Sequence, residues 1–494
     1  MLFNSTEFIA FFPIVIAIYF LIPKKIKPVW LLLTSYFFYM CWNPKYIVLL
    51  LFCTAVTYIA GILIDKNENK SRKKLILTLG IILNFLVLFA FKYLDFALDS
   101  LNSVLGLFHK GPYSFTLAHT LPVGISFFTF QAVGYMVDVY RGEIGAEKNL
   151  LKYALFVSFF PQLVAGPIER SKNLLTQINK ISKERLWSRD KIVSGIGMMI
   201  WGFFIKMVIA DRAAVYVDSI HDRLYAAGTV ETVFAAVLFT LQIYTDFAGY
   251  SSIAIGASRI IGIDLMENFN TPFFAENIAD FWRRWHISLS TWFRDYLYIP
   301  LGGSRCSKPR HILNIMITFL VSGLWHGADW KFVVWGGLHG LYQGIGILLK
   351  PITGRFERFT KADTKKFGFR IWKVILTNIL VIFAFIFFRA ESVVTGFSYV
   401  GRMFTKWNPW VLFDDSLYNW GLDHFEMNIL GIALLILLVV SIVRYKKNLD
   451  FGRYLLTQNI VFRWAVYILL AVFVIVFGQY GIDFDSNQFI YFAF

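Results

Sequence analysis

Apolar runs approaching the ~20 residues that a helix needs to cross a bilayer recur from one end of this chain to the other. The clearest are Phe8–Ile22, Val29–Trp42, Tyr46–Ile64, Leu75–Phe91, Ile192–Ala210, Val230–Tyr244, Val333–Leu349, Ile371–Phe388, Met427–Val443 and Val461–Gly478. Inside lipid no water satisfies backbone N–H and C=O groups, so runs of this kind must close their hydrogen bonds as helices. Charge supports the same reading: only 16% of the 494 residues are charged and 57% are hydrophobic, where soluble proteins carry about 25% charged residues. The mean hydropathy is +0.58. The expected fold is an all-α polytopic membrane protein of roughly 10–12 transmembrane helices. The first run, "MLFNSTEFIAFFPIVIAIYF", lacks a basic leader and a small-residue cleavage site, and reads as a retained helix.

A formal charge of +16 invites a nucleic-acid reading, but the distribution of the charge argues against it. Basic residues gather at 24–27, 65–74, 169–191, 305–310, 350–373 and 444–453, between apolar runs. An excess of Lys and Arg marks cytoplasmic loops. The loops between them are poor in Lys and Arg at 93–120. At 390–426 they hold Arg402 and Lys406 against Glu391, Asp414, Asp415, Asp423 and Glu426. This alternation predicts both termini outside, membrane lipid around the helices and no nucleic-acid partner. Cys41, Cys53 and Cys306 have neither metal-site nor disulfide-framework spacing and read as packing residues.

From about Leu121 to Gly166, and again from Gly249 to Trp330, apolar runs are short and interrupted by Gly, Pro and charge. Irregular backbone is tolerated at membrane depth only where protein or a wet cavity covers it. A central core of re-entrant or tilted broken helices, enclosed by regular ones, is therefore expected. The chain reads as one transmembrane domain, 1–494, with N-terminal helices over 1–120, a core over 121–349 and C-terminal helices over 350–494. It shows no internal repeat of the transporter kind.

Ionisable residues at membrane depth are costly and mark functional sites by default. In "DFWRRWHISLSTWFRDY" a helix places Trp282, Trp285 and His286 on one face, and Asp280 four residues before Arg284. The same pattern suits an interfacial amphipathic helix with Trp anchors. In "SGLWHGADWKFVVWGGLHG", His326 stands between Trp325 and a glycine, whereas His339 lies in a regular glycine-rich stretch that suits helix packing. Lys331 with Asp329 reads as the outer rim of this segment. A lone His in an apolar helix is commonly a structural hydrogen-bonding residue, but a neutral imidazole can also take a proton from a hydroxyl. No phosphate-binding loop, serine-nucleophile elbow or zinc-protease motif is present, and Asp280, Asp295 and Asp329 are better explained as Arg or Lys partners than as metal ligands.

Together "LPVGISFFTFQAVGYMVDVYRG" (121–142), "FVSFFPQLVAGPIER" (156–170), "QIYTDFAGYSSIAIGASRIIGI" (242–263), "NFNTPFFAENIADFWRRWHISLSTWFRDYLYIPLGG" (268–303) and "SGLWHGADWKFVVWGGLHG" (322–340) resemble the membrane-bound O-acyltransferase superfamily, within it the bacterial alginate O-acetyltransferase-like branch. The resemblance puts the family's catalytic histidine on His326 and a second histidine on His286. It places supporting positions at Asn270 and Asp246, beside which Trp285, Arg283 and Trp325 are candidate substrate-binding or supporting residues, and no metal or permanently bound cofactor is expected. It implies transfer of an acyl group, foremost acetyl, from a cytoplasmic thioester to a hydroxyl of a cell-envelope polysaccharide or peptidoglycan. The donor is then acetyl-CoA or an acyl carrier protein, and an extracytoplasmic hydrolase-like acetyltransferase partner completes transfer. The implied location is the bacterial inner (plasma) membrane. A teichoic-acid D-alanyl transfer protein within the same fold, and a non-enzymatic transporter, are the alternatives.

Overall fold

A computed structural model describes residues 1–108, 121–164, 166–360, 363–364 and 366–480. Parts of the expected 93–120 and 350–373 loops, and Ala165 of the 156–170 motif, lie outside the described residues. The described residues are helical and include no strand. Eight helices among them are long and apolar enough to cross a bilayer: 44–66, 70–106, 189–222, 229–261, 330–355, 367–389, 424–447 and 460–477. Thr6–Leu21 is a shorter apolar helix. The chain is a polytopic all-α membrane protein. Large apolar side chains such as Val461, Leu469 and Ile475 on the last of these helices stay exposed, as a lipid-facing surface requires.

The helices form two compact units, Met1–Met199 with Ile253–Met266, and Ile200–Ser252 with Glu267–Phe494. In the first unit, Ile125–Arg141 is enclosed almost all round, which frees it from the need to be apolar. Its Gln131 donates from Nε2 to the Phe156 carbonyl at 2.6 Å. Tyr153, on the Leu150–Ser158 helix, donates to the Thr57 hydroxyl at 2.6 Å. The chain there breaks into short pieces, Leu150–Ser158 and Phe160–Leu163, as the interrupted apolar pattern implied.

Two sequence expectations need correction. The run expected to end at Tyr244 continues unbroken as Thr229–Ile261, 33 residues long. Its glycines are contact points: a Cβ at Gly249 would stand 2.9 Å from the Gly202 carbonyl oxygen, and one at Gly256 2.5 Å from that of Gly195. Packing partners thus offset the propensity penalty that made the segment look broken. Of the three free cysteines only Cys53 is buried, so a packing role does not extend to Cys41 or Cys306.

In the second unit, Lys308–His326 and the helix beginning at Trp330 run back against each other. A Cβ on Gly323 would lie 2.2 Å from the Phe332 carbonyl oxygen, and one on Gly336 2.2 Å from that of Phe319. Only glycine permits this approach, because the obstructing atoms are backbone. Ala at 336 gains up to ~1 kcal/mol of helix propensity but forces the two helices apart, at about 1–3 kcal/mol. Gly336→Ala is therefore expected to lower the melting temperature of the purified protein. An unchanged melting curve would show that the crossing is not tight.

Glu169, in the Gly166–Arg170 loop, is buried. Its carboxylate accepts from the Asn173 side chain at 2.7 Å and from the Met266 backbone N–H. Burial raises its pKa to about 7, against the lowering effect of those bonds. A carboxyl whose folded pKa is raised binds its proton more tightly when folded, so stability falls as pH rises from ~4.5 to about 7. Glu169→Gln is expected to flatten that part of the stability-against-pH curve, as read by thermal melting across pH 4–8.

Candidate active site

The site is built entirely within the second unit. His326 is the last residue of its helix, and Gly327 leaves the helix in extended conformation at φ −160°. The chain turns through Ala328 and Asp329, whose carboxylate accepts the Lys331 backbone N–H at 2.9 Å. The next helix therefore starts immediately, and Lys331 Nζ donates to the Ala390 carbonyl at 2.8 Å. The His326 ring is buried, with the rings of Trp325 and Trp335 each 5.0 Å away edge-on and Phe388 at 5.5 Å. The His286 ring lies 6.3 Å from it. The two histidines that the sequence singled out, 40 positions apart, are thus neighbours.

His286 does not lie inside the helix that its spacing predicted. Two short helices, Ile278–Arg284 and Ile287–Phe293, are separated by Trp285 and His286, and His286 takes the left-handed conformation at φ 43°, ψ 54°. That conformation costs a non-glycine residue on the order of 1–3 kcal/mol and persists only where its surroundings enforce it. The enforcing residue is Asn268, which the sequence reading passed over. Its carbonyl accepts the Ile287 N–H at 2.9 Å, its side-chain oxygen accepts the Ser288 hydroxyl at 2.6 Å, and its amide donates to the Ser251 hydroxyl at 2.9 Å. Asn270, two residues on, is half-buried and bonds through its backbone N–H to the Arg284 carbonyl at 2.9 Å. The "NFN" doublet offers two asparagines, and only tertiary packing distinguishes the one facing Ser288.

The remaining candidates fall into distinct roles. Asp246 is buried and paired at 2.6 Å with Lys206, which lies 2.6 Å from Asp211 as well. Lys206 sits in a π-helical turn, Phe204–Ala210. The residue after Asp246, Phe247, packs edge-on to the His286 ring at 4.7 Å, so this ion pair fixes the helix face that meets His286. Trp285 stacks on Phe281 at 5.3 Å, and Trp325 meets the His286 ring at 5.9 Å. The anticipated Asp280–Arg284 pair forms at 3.1 Å, partly exposed and so worth little. His339 is fully buried among rings and accepts the Trp282 indole N–H on Nδ1 at 3.3 Å.

A cavity of about 550 Å³ opens beside these residues, lined by Trp282, Arg283, Arg294, His311, Phe319 and Ser322 among others. Ser322 precedes His326 by one helical turn and shares its face, so the cavity ends close to the histidine. Arg283 is exposed at its edge. Among the described residues, no three His, Cys, Asp or Glu side chains gather as a metal-ligand set. The chemistry that this arrangement supports is proton transfer in a buried, aromatic chamber beside a cation-edged cavity.

Replacing Asn268 with Ala strands the Ser288 and Ser251 hydroxyls in a buried setting, at about 1–3 kcal/mol per unsatisfied group. It also frees His286 from its bend. The expected result is a lower melting temperature and a turnover rate reduced by more than the loss of folded protein explains. Equal losses in both would confine Asn268 to stability.

The membrane-bound O-acyltransferase family (MBOAT) matches residues 85–400. A probable alginate O-acetylase, AlgI, of Azotobacter vinelandii is 37% identical over 451 residues, covering 90% of this chain and 85% of that protein. A peptidoglycan O-acetyltransferase of Helicobacter pylori is 36% identical over 425 residues, 79% of this chain and 77% of that protein. A teichoic acid D-alanyltransferase of Bacillus subtilis is 30% identical over 278 residues, 54% of this chain and 67% of that protein. The chain belongs to the membrane-bound O-acyltransferase family, and it is an O-acyltransferase.

Proposed function

We propose that the chain moves an acetyl group from a cytoplasmic thioester, acetyl-CoA, to a hydroxyl on the path to a cell-envelope glycan. The observation that carries this reading is the pairing of His326 with His286, rings 6.3 Å apart, one helical turn from a cavity edged by Arg283 and Arg294. A polyanionic nucleotide cannot enter lipid, but basic side chains can hold its phosphates at the mouth while a long, uncharged arm reaches inward. In the reaction the hydroxyl oxygen bonds to the thioester carbonyl carbon and its proton passes to His326. The C–S bond then breaks, and the departing thiolate takes that proton. His286, held by Asn268, orients the attacking hydroxyl.

The reading extends to setting and partner. The chain works in the bacterial plasma membrane, and a hydrolase-like extracytoplasmic protein completes delivery to the glycan. The names of the relatives support acetyl as the group: the alginate and peptidoglycan O-acetyltransferases match most of this chain, whereas the D-alanyltransferase matches about half. D-alanyl transfer from a carrier protein is the second reading.

His326→Ala, produced at wild-type levels in a strain lacking the native copy, is expected to reduce O-acetyl groups on the envelope to background, read by mass spectrometry. In membranes, Arg283→Ala is expected to raise the KM for acetyl-CoA roughly tenfold, equivalent to one charge-assisted contact, with little change in kcat. Full acetylation by His326→Ala overturns the assignment. Turnover with a D-alanyl carrier protein but not with acetyl-CoA transfers it to the second reading.

A further inference from the structure

His339 and Trp335 lie four residues apart on the Trp330–Thr360 helix, on one face, with their rings 5.1 Å apart. Both are fully buried, His339 at 0% and Trp335 at 1% exposure. The indole of Trp282 can only donate, so the 3.3 Å bond from its Nε1 makes His339 Nδ1 an acceptor. A proton on Nδ1 would set two donors face to face. His339 is thereby held neutral, with its single hydrogen on Nε2, which disqualifies it as the base and makes it a fixed donor.

Among the described residues neither that Nε2 nor the Trp335 Nε1 has a protein acceptor. An unsatisfied buried donor is destabilising, and here two occur within one helical turn. Their position gives the cost a purpose. The His326 ring stands edge-on to Trp335 at 5.0 Å, and Trp282, which lines the 550 Å³ cavity, lies 5.7 Å from the same Trp335 ring. Two neutral N–H donors therefore lie behind the Trp282 wall of the cavity, with the Trp335 ring against His326 and the His339 ring 5.1 Å from that of Trp282.

We propose that Trp335 Nε1–H and His339 Nε2–H bind the carbonyl oxygen of the transferred acyl group and stabilise it as an oxyanion. This rests on the acyl-transfer reading above and adds to it the group that carries the developing charge. When the hydroxyl oxygen bonds to the carbonyl carbon, the carbonyl π pair moves onto oxygen, and the two N–H groups bond to that oxygen. The hydroxyl proton goes to His326. Collapse restores the C=O bond, expels the thiolate and returns the proton to sulfur. Neutral donors in an apolar chamber suit the task, because they stabilise the charge without burying a countercharge in the resting state.

The test uses the full-length protein in nanodiscs and two unreactive donor analogues. The dethia analogue of acetyl-CoA has a methylene in place of sulfur and keeps the carbonyl. S-ethyl-CoA has a methylene in place of that carbonyl. Wild type is expected to bind the carbonyl analogue at least tenfold more tightly, and Trp335→Phe, which keeps the ring and loses the N–H, to bind the two within about threefold. With acetyl-CoA, Trp335→Phe should lose roughly 10²–10³ in kcat with little change in KM. His339→Phe should behave likewise. Wild type binding the two analogues equally overturns the inference whatever the variants do, as does Trp335→Phe with full kcat, where ordered water satisfies the donors. Wild type binding neither analogue overturns the coenzyme A reading itself, and the oxyanion assignment with it.

Discussion

Everything in the site hangs on the crossing of two helices at Gly323 and Gly336. Because a Cβ at either position would lie 2.2 Å from a carbonyl of the opposing helix, the two backbones are in contact with no side chain between them. The turn that joins them is only Gly327 to Asp329, so His326 at the end of one helix is pressed against Trp335 in the first turns of the other. Lipid supplies no hydrophobic force to hold helices together, and close backbone packing through small residues takes its place. His326 is thus positioned by the absence of side chains nearby as much as by its own contacts.

The chamber around His326 is nearly all aromatic, and two groups of buried charge in the same unit are paired rather than left bare. Lys206 with Asp211 and Asp246 is one such group, with all three side chains buried. Arg212 is another, bonded to Glu426 and to the carbonyls of Val208 and Phe477. An isolated ion at this depth would be prohibitive, and pairing makes it tolerable without making it stabilising. What the first group contributes is register: it fixes the Thr229–Ile261 helix so that Phe247 meets His286 and Ser251 meets Asn268. A small set of buried polar bonds then holds His286 in a backbone conformation that it would not adopt alone.

The sequence made the membrane architecture legible because hydropathy is a one-dimensional property. Most apolar runs between basic loops reappear as helices within a few residues of where they were read, from 371–388 as Phe367–Arg389 to 461–478 as Ile460–Phe477. It failed where two local preferences competed. Gly249 and Gly256 looked like breaks and proved to be contacts, while the helical spacing of 280–296 hid a break at His286. Asn268 was not legible at all, since its importance lies in what it faces.

Composition and motif spacing alone therefore determined that this chain spans a membrane many times and which family it resembles, since each depends only on the order of residues. Tertiary structure decided which asparagine holds the bend, that the two imidazoles lie 6.3 Å apart, and that His339 is fixed as a donor by Trp282. Those facts depend on which atoms meet across helices far apart in the chain, and no spacing along the chain encodes that meeting.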